Sequence, residues 1–228
     1  MTDKAVIFDM DGVLIDSEPA YLEMNLRMFD QFGINMDDET YKALVGMPSV
    51  PMWKFLKEKY QLKNEVSDFI HLEKKRMLEI LDSDIITKPV DGINELIRIL
   101  KKNNVSLSVA SSSAKDNVNF VLDKLNIKNN FDFIISGEEV ENGKPSPDIF
   151  LKVADHFDLN PGHFYVIEDS TNGISAANSA GMKSIGFTND GTNMQDLSGA
   201  DLIINEFNDS GREEILKFIL NSSQHQNT

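Results

Sequence analysis

Asp9 and Asp11 stand two positions apart at the end of an apolar run, in AVIFDMDGVLIDSEP (Ala5–Pro19). Residues 4–8 read as a strand, apolar and rich in β-branched and aromatic side chains. Alternate strand residues point to one side, so the two carboxylates leave the strand together. Gly12 follows and lets the chain turn at once. Three further segments offer groups of related chemistry. SVASSS supplies Ser111, Ser112 and Ser113, YVIEDSTNGI supplies Glu168 and Asp169, and ENGKPSPDIF supplies Lys144.

If Asp9, Asp11, Glu168 and Asp169 meet at one sheet edge, they repel. Two unit charges about 4 Å apart at an effective dielectric of about 20 repel by roughly 4 kcal/mol. Several such pairs threaten a net stability of about 5–15 kcal/mol. One ammonium, Lys144, does not neutralise four carboxylates. A hard divalent cation does, and an all-oxygen site suits magnesium, so Mg²⁺ is the expected cofactor. Each segment alone has a plainer use. A D-x-D is commonly a turn or cap, and an acidic pair before a helix complements the helix dipole. The serines suit an N-cap, with Ser113 placed for the helix that follows. GEEVENGKP approaches a phosphate-binding P-loop, but its spacing is one residue too long and Pro145 replaces the hydroxyl residue.

The elements that must position these groups are short. Strand-type runs occur at AVIF (Ala5), LSVA (Leu107), FDFIIS (Phe131), FYVIE (Phe164), SIGF (Ser184) and DLII (Asp201). Helical spacing lies between most of them: Ile93, Leu96, Ile97 and Leu100 in one segment, Val118, Val121, Leu122 and Leu125 in another. This alternation predicts an α/β fold with a mainly parallel sheet, which binds ligands at the carboxyl ends of its strands. Residues 16–87 differ, with helical stretches such as YLEMNLRMFDQFG and FIHLEKKRMLEIL and no convincing strand. They read as a helical cap inserted in a catalytic core of residues 1–15 and 88–228. TKPVDG is the return linker, DGT at Asp190 a surface turn, and residues 221–228 a flexible polar tail.

The chain has 228 residues, 41% of them hydrophobic, which suffices for a core without staples. It has no cysteine, which excludes disulfides and thiolate metal sites and fits a reducing compartment. With no basic leader before a long apolar run, the expected location is cytoplasmic. A net charge of −15 argues against nucleic acid and anionic membrane as partners. An anionic substrate then needs a local cationic site, which a metal and Lys144 would provide.

In chain order, FDMDGVL, VASSS, GKPSPDIF and IEDSTNGISAANSAGM resemble the four motifs of the haloacid dehalogenase superfamily. DSEP and the helical insert resemble its branch with a small α-helical cap, which includes sugar-phosphate phosphatases and β-phosphoglucomutase-like enzymes. The resemblance implies a doubly wound, Rossmann-like core. It also implies that Asp9 is the nucleophile and Asp11 the general acid and base. The dehalogenases of the superfamily lack the second aspartate, so its presence favours phosphoryl transfer. Ser111 matches the hydroxyl that binds phosphoryl oxygens, with the Ser112 backbone amide beside it, and Lys144 matches the lysine that holds nucleophile and phosphate. Asp169 matches a metal ligand, joined by Glu168, a carboxylate oxygen of Asp9 and the carbonyl of Asp11. The Lys144–Pro145 bond matches a position that is often cis.

The implied activity is Mg²⁺-dependent hydrolysis of a small phosphorylated metabolite, a sugar or polyol phosphate, by a monomer or weak homodimer. A β-phosphoglucomutase-like reaction is the alternative, and a non-catalytic sugar-phosphate sensor a minor one. The mutase pattern has a cap histidine where this chain has Tyr21, and a cap arginine where LVGMPSVPMW offers Ser49. Lys74, Lys75 and Arg76 substitute only partly. Glu18, Tyr21 and Ser49 are the expected cap contacts to substrate, while Met47, Met52 and Trp53 read first as cap core.

Overall fold

Four apolar residues, Ala5–Phe8, form the first strand, and all four are buried. A strand buried on both faces carries no polar alternation, which is why this one reads as a continuous apolar run. The computed structural model describes residues 4–44, 47, 49–83, 85, 88–189 and 195–221. In chain order its elements are β1 (Ala5–Phe8), α1 (Glu18–Gln31), α2 (Asp38–Leu44), α3 (Ser49–Lys59), α4 (Val66–Asp82) and α5 (Ile93–Lys102). Then come β2 (Ser106–Ser111), α6 (Lys115–Lys124), β3 (Phe133–Ser136), α7 (Asp148–Phe157) and β4 (Phe164–Glu168). The chain continues with α8 (Thr171–Ser179), β5 (Lys183–Phe187), β6 (Leu202–Ile204) and α9 (Asp209–Asn221). The turn expected at Asp190 and the tail beyond Asn221 lie outside the described residues. No described helix is long and apolar enough to cross a membrane.

The chain divides into two compact units, Met1–Asp16 with Thr87–Thr228, and Ser17–Ile86. The first is an α/β unit. Its six strands are all parallel, in the order β3-β2-β1-β4-β5-β6, so the winding direction reverses at β1. Ile7 pairs with Ser108 on one side and Val166 on the other, which puts these three on one face. On that face Ala5, Ile7, Ala110, Phe164 and Val166 form a core with Ile149, Phe150 and Val153 of α7 and Ala176 and Ala177 of α8. The alanines of α8 let it lie close to the strands. On the opposite face, Phe218 of α9 meets Tyr165 of β4 edge-on, ring centroids 5.6 Å apart.

The second unit is helical, and its described residues contain no strand. Asp37 caps α2 by accepting from the Thr40 N–H at 2.7 Å. Glu65 and Asp68 cap α4 reciprocally. The unit is centred on aromatic rings: Trp53 stacks on Phe69 at 4.4 Å, and Phe32 meets Phe69 edge-on at 4.9 Å. Trp53 and Met52 are buried, whereas Met47 is 38% exposed and does not join this core.

Two glycines separate backbone strain from collision. Gly92, at the start of α5, has φ +84°, and a Cβ there would lie 2.1 Å from the Phe207 carbonyl oxygen. Gly33 has φ +64° with open space around it. Gly33→Ala is expected to cost about 1 kcal/mol from backbone strain, and Gly92→Ala at least about 2–3 kcal/mol. Urea denaturation of the two variants checks the order; equal losses would contradict it.

Candidate active site

The pairing of β1 with β4 fixes the centre of the site. Phe8 pairs with Ile167, and the Asp9 N–H donates to the Ile167 carbonyl at 3.0 Å. One step further along the strands, Asp9 and Glu168 are neighbours on the face that carries Ile7 and Val166. Lys144 reaches this point from the loop before α7. Its Nζ donates to Asp9 Oδ1 at 2.6 Å, Glu168 Oε1 at 2.7 Å and the Ala110 carbonyl at 2.9 Å. Three acceptors match the three donors of an ammonium. All three side chains in this set are at least nine-tenths buried. The Phe150 ring lies 5.0 Å from Nζ, and the Lys144–Pro145 peptide is cis.

Asp11 and Gly12 form the turn after β1, with the Gly12 N–H donating to the Ile15 carbonyl at 2.8 Å. Gly12 has φ +78°, and a Cβ on it would lie 1.9 Å from Asp169 Oδ2. The Asp169 carboxylate therefore lies directly against the Gly12 backbone. Asp11 Oδ2 accepts from the Ser113 hydroxyl at 2.7 Å. That is a correction to the sequence reading of Ser113. Helix α6 starts at Lys115 with Ala114 at its cap, and Ser113 serves Asp11 instead. Ser111 is buried, and its Oγ accepts from the Ser113 N–H at 3.0 Å, while Ser112 is exposed.

Both oxygens of Glu168 accept hydrogen bonds from the protein. Oε1 takes Lys144, and Oε2 accepts from the Asp169 N–H, the Ser170 N–H and the Ser170 hydroxyl at 2.9–3.0 Å. Gly173 makes room for it, since a Cβ there would lie 1.9 Å from Oε1. The sequence expects Glu168 beside the metal; here its Oε1 accepts from Lys144 and its Oε2 from the turn into α8.

The electrostatics follow from four carboxylates around one ammonium. Burial, then Asp9, Glu168 and Asp11, push Asp169 up to about 9. Burial pushes Asp9 up to about 8, against the pull of Lys144 and with the help of Glu168 and Asp11. Burial lowers Lys144, but Asp9 and Glu168 outweigh it and hold the ammonium above its ordinary range. The ammonium therefore stays charged, and Asp9 and Asp169 are the carboxyls that resist ionising while no further cation is present.

A divalent cation fits this donor chemistry. Among the described residues no three His, Cys, Asp or Glu side chains form a ligand set. Asp9, Glu168 and Asp169 supply carboxylate oxygens near one another, and Asp11 has its carbonyl. Magnesium is commonly held by one or two carboxylates, with water and substrate phosphate completing its shell. The raised carboxyls of Asp9 and Asp169 mark a place short of positive charge.

The remaining expected contacts belong to the helical unit. Glu18 opens α1 and is exposed, Tyr21 is half-buried on α1, and Ser49 opens α3 and is exposed. Asp9, Asp11, Ser111, Lys144, Glu168 and Asp169 are thus gathered in one unit, and these three are in the other. The sequence reading named Ser113 among the strand-end hydroxyls but assigned it only a helix cap. Its signal was only a third hydroxyl in SVASSS.

The chain matches the haloacid dehalogenase-like hydrolase family over residues 6–187. It is 32% identical over 185 residues to the phosphorylated carbohydrates phosphatase of Thermotoga maritima, spanning 80% of this chain and 83% of that one. It is 32% identical over 213 residues to the β-phosphoglucomutase of Bacillus subtilis, spanning 90% and 91%. The crystal structure of β-phosphoglucomutase from Clostridium difficile superposes with a TM-score of 0.77 at 30% identity, covering 96% of this chain and 97% of that one.

The acidic cluster sets a pH dependence. The Asp169 carboxyl stands at about 9 when folded, against 3.8 for an unperturbed aspartate. Between those values the folded chain retains a proton that the unfolded chain has lost, so stability falls as pH rises. In chelator-treated protein the melting temperature is expected to fall steadily from about pH 5 to about pH 8, with a shallower fall in Asp169→Asn. A flat or rising profile would contradict this.

Proposed function

Since this chain belongs to the haloacid dehalogenase-like hydrolase family, we propose that it is a magnesium-dependent phosphatase acting on a small sugar or polyol phosphate through an aspartyl-phosphate on Asp9. The observation that carries this reading is the grip of Lys144 on Asp9, 2.6 Å from Oδ1, with Asp11 and Asp169 alongside. A carboxylate is a poor nucleophile toward an anionic phosphate, so catalysis rests on orientation and on charge neutralisation. The names of the phosphatase and mutase relatives support phosphorylated carbohydrates as the substrate class.

The chain's own groups divide the work. Lys144 orients Asp9 and offsets charge on the phosphoryl oxygens. Asp9 attacks phosphorus, the ester P–O bond breaks, and the leaving oxygen takes the proton of Asp11. Asp11, now ionised, takes a proton from water as that water attacks the aspartyl-phosphate, releasing inorganic phosphate and restoring Asp9. Ser113 fixes the direction of Asp11 through its 2.7 Å hydrogen bond. Ser111 and the Ser112 amide are assigned to the phosphoryl oxygens. Glu168 positions Lys144. A Mg²⁺ held by Asp9, Asp169 and the Asp11 carbonyl would supply Lewis-acid polarisation of the phosphoryl group.

Mutase action is the second reading, favoured by the β-phosphoglucomutase likeness. Against it stand Tyr21 and Ser49, which lack the proton-transfer and bidentate anion-binding capacity of histidine and arginine. A colorimetric phosphate-release assay over sugar and polyol monophosphates separates the two. Hydrolysis is expected without any bisphosphate activator, is lost on chelation and returns with Mg²⁺. Asp9→Asn is expected to lower kcat at least about a thousandfold with the fold intact. Isomerisation without net release would favour the mutase, and near-normal turnover in Asp9→Asn would overturn the nucleophile.

A further inference from the structure

The central ammonium is carried by a loop, residues 140–147, and side chains on loops are held less firmly than those on helices or strands. Lys144 nevertheless meets Asp9, Glu168 and the Ala110 carbonyl at once. Its backbone must therefore be fixed by more than its own side chain. A turn closes around it, with the Ser146 N–H donating to the Gly143 carbonyl at 3.0 Å. Pro145 and Pro147 have no N–H to contribute. A Cβ on Gly143 would meet nothing within 4 Å, so that side of the loop lies open.

Asp148, the first residue of α7, supplies the further hold. Its Oδ2 accepts from the Asn142 N–H at 3.2 Å and from the Asn142 side-chain amide at 3.0 Å. Its Oδ1 accepts from the Ser146 hydroxyl at 2.5 Å. Asn142 and Ser146 stand two positions before and two positions after Lys144, so one carboxylate grips both flanks of the turn. The bonds from Ser146 and then Asn142 hold the Asp148 carboxyl below the usual carboxylate range, which keeps it an acceptor. The grip has a firm base, because Ile149, Phe150 and Val153 of α7 belong to the sheet core. Lys152, one turn further along α7, donates to the Glu139 carbonyl at the start of the loop. An acidic residue in the first turn of a helix commonly serves only the helix dipole. Here its hydrogen bonds run outward to the loop that carries the ammonium.

We propose that Asp148 is a positioning residue for Lys144: it straps both sides of the Lys144–Pro145 turn to α7 and so fixes where the ammonium meets Asp9 and the phosphoryl oxygens. It acts through Lys144, without touching the substrate. The role rests on the phosphatase reading above for the reaction it serves, and on the geometry of the loop for the contact itself.

Two substitutions separate the strap from the dipole. Asp148→Asn and Asp148→Ala remove the same charge from the start of α7. The asparagine oxygen still accepts from Asn142, and its amide donates to the Ser146 hydroxyl, which accepts as well as donates. The alanine keeps neither bond. The first readout needs no turnover: labelling of Lys144 by acetic anhydride, quantified by peptide mass spectrometry against Lys88. The Lys144 side chain is 5% exposed and that of Lys88 71%. The second is kcat and KM with Mg²⁺ and the fastest of the sugar and polyol monophosphates. Asp148→Ala is expected to raise the Lys144 to Lys88 labelling ratio at least about tenfold and to lower kcat at least about tenfold, with KM within about twofold. Asp148→Asn is expected to stay within about threefold of wild type in both. Ser146→Ala, which removes one bond and no charge, should move both readouts the same way by less, and should add nothing to Asp148→Ala. Unchanged labelling in Asp148→Ala, an asparagine as damaging as the alanine, or a loss confined to KM would overturn the proposal. If Asp148→Ala does not fold, Ser146→Ala decides, and wild-type labelling and kcat there would overturn it. Absence of turnover in the wild type, alongside Lys144 labelling that depends on Asp148, would instead overturn the phosphatase reading and leave the strap supported.

Discussion

A single buried ammonium ties three strand ends together. Lys144 bonds to Asp9 just past β1, to the Ala110 carbonyl in β2 and to Glu168 at the end of β4. Removing one partner of such a buried ion pair commonly costs about 3–5 kcal/mol, because the remaining charge is stranded. That is a large share of the roughly 5–15 kcal/mol that hold a domain together. The same contact holds Asp9 in place and keeps Glu168 turned inward, so the fold and the chemistry depend on one side chain.

The backbone supplies the room that this arrangement needs. Two glycines stand where a Cβ would overlap a carboxylate, Gly12 beneath Asp169 and Gly173 beneath Glu168. With those Cβ atoms absent, two adjacent acidic residues take opposite courses. One turns in to bind Lys144 and the α8 turn; the other lies over the loop after β1. The result is a cluster with one ammonium for four carboxylates, and its deficit of positive charge is what a divalent cation and an anionic substrate arriving together would relieve.

Much of this was legible in the sequence, and the gaps have physical causes. The apolar runs at Ala5, Leu107, Phe164 and Ser184 gave their strands directly, because strands buried on both faces leave no other pattern. Asp9 and Asp11 stood out because two like charges ending a buried strand need a reason. Ser113 was misread because a serine ahead of a helix can cap it or bond elsewhere, and its partner Asp11 is 102 positions away. Which of Glu168 and Asp169 turns inward is decided by the β1–β4 register, which no local pattern carries.

The central claim, that Asp9 held by Lys144 is the group that accepts phosphorus, is most directly tested by locating the transferred phosphoryl group. The Asp11→Asn chain, slowed in the hydrolytic half of the reaction, is mixed with Mg²⁺ and a sugar monophosphate, quenched in acid and mapped by peptide mass spectrometry. One phosphoryl group on Asp9 is the expected result. A phosphoryl group on any other residue, or inorganic phosphate formed at full rate with no covalent species, would contradict it.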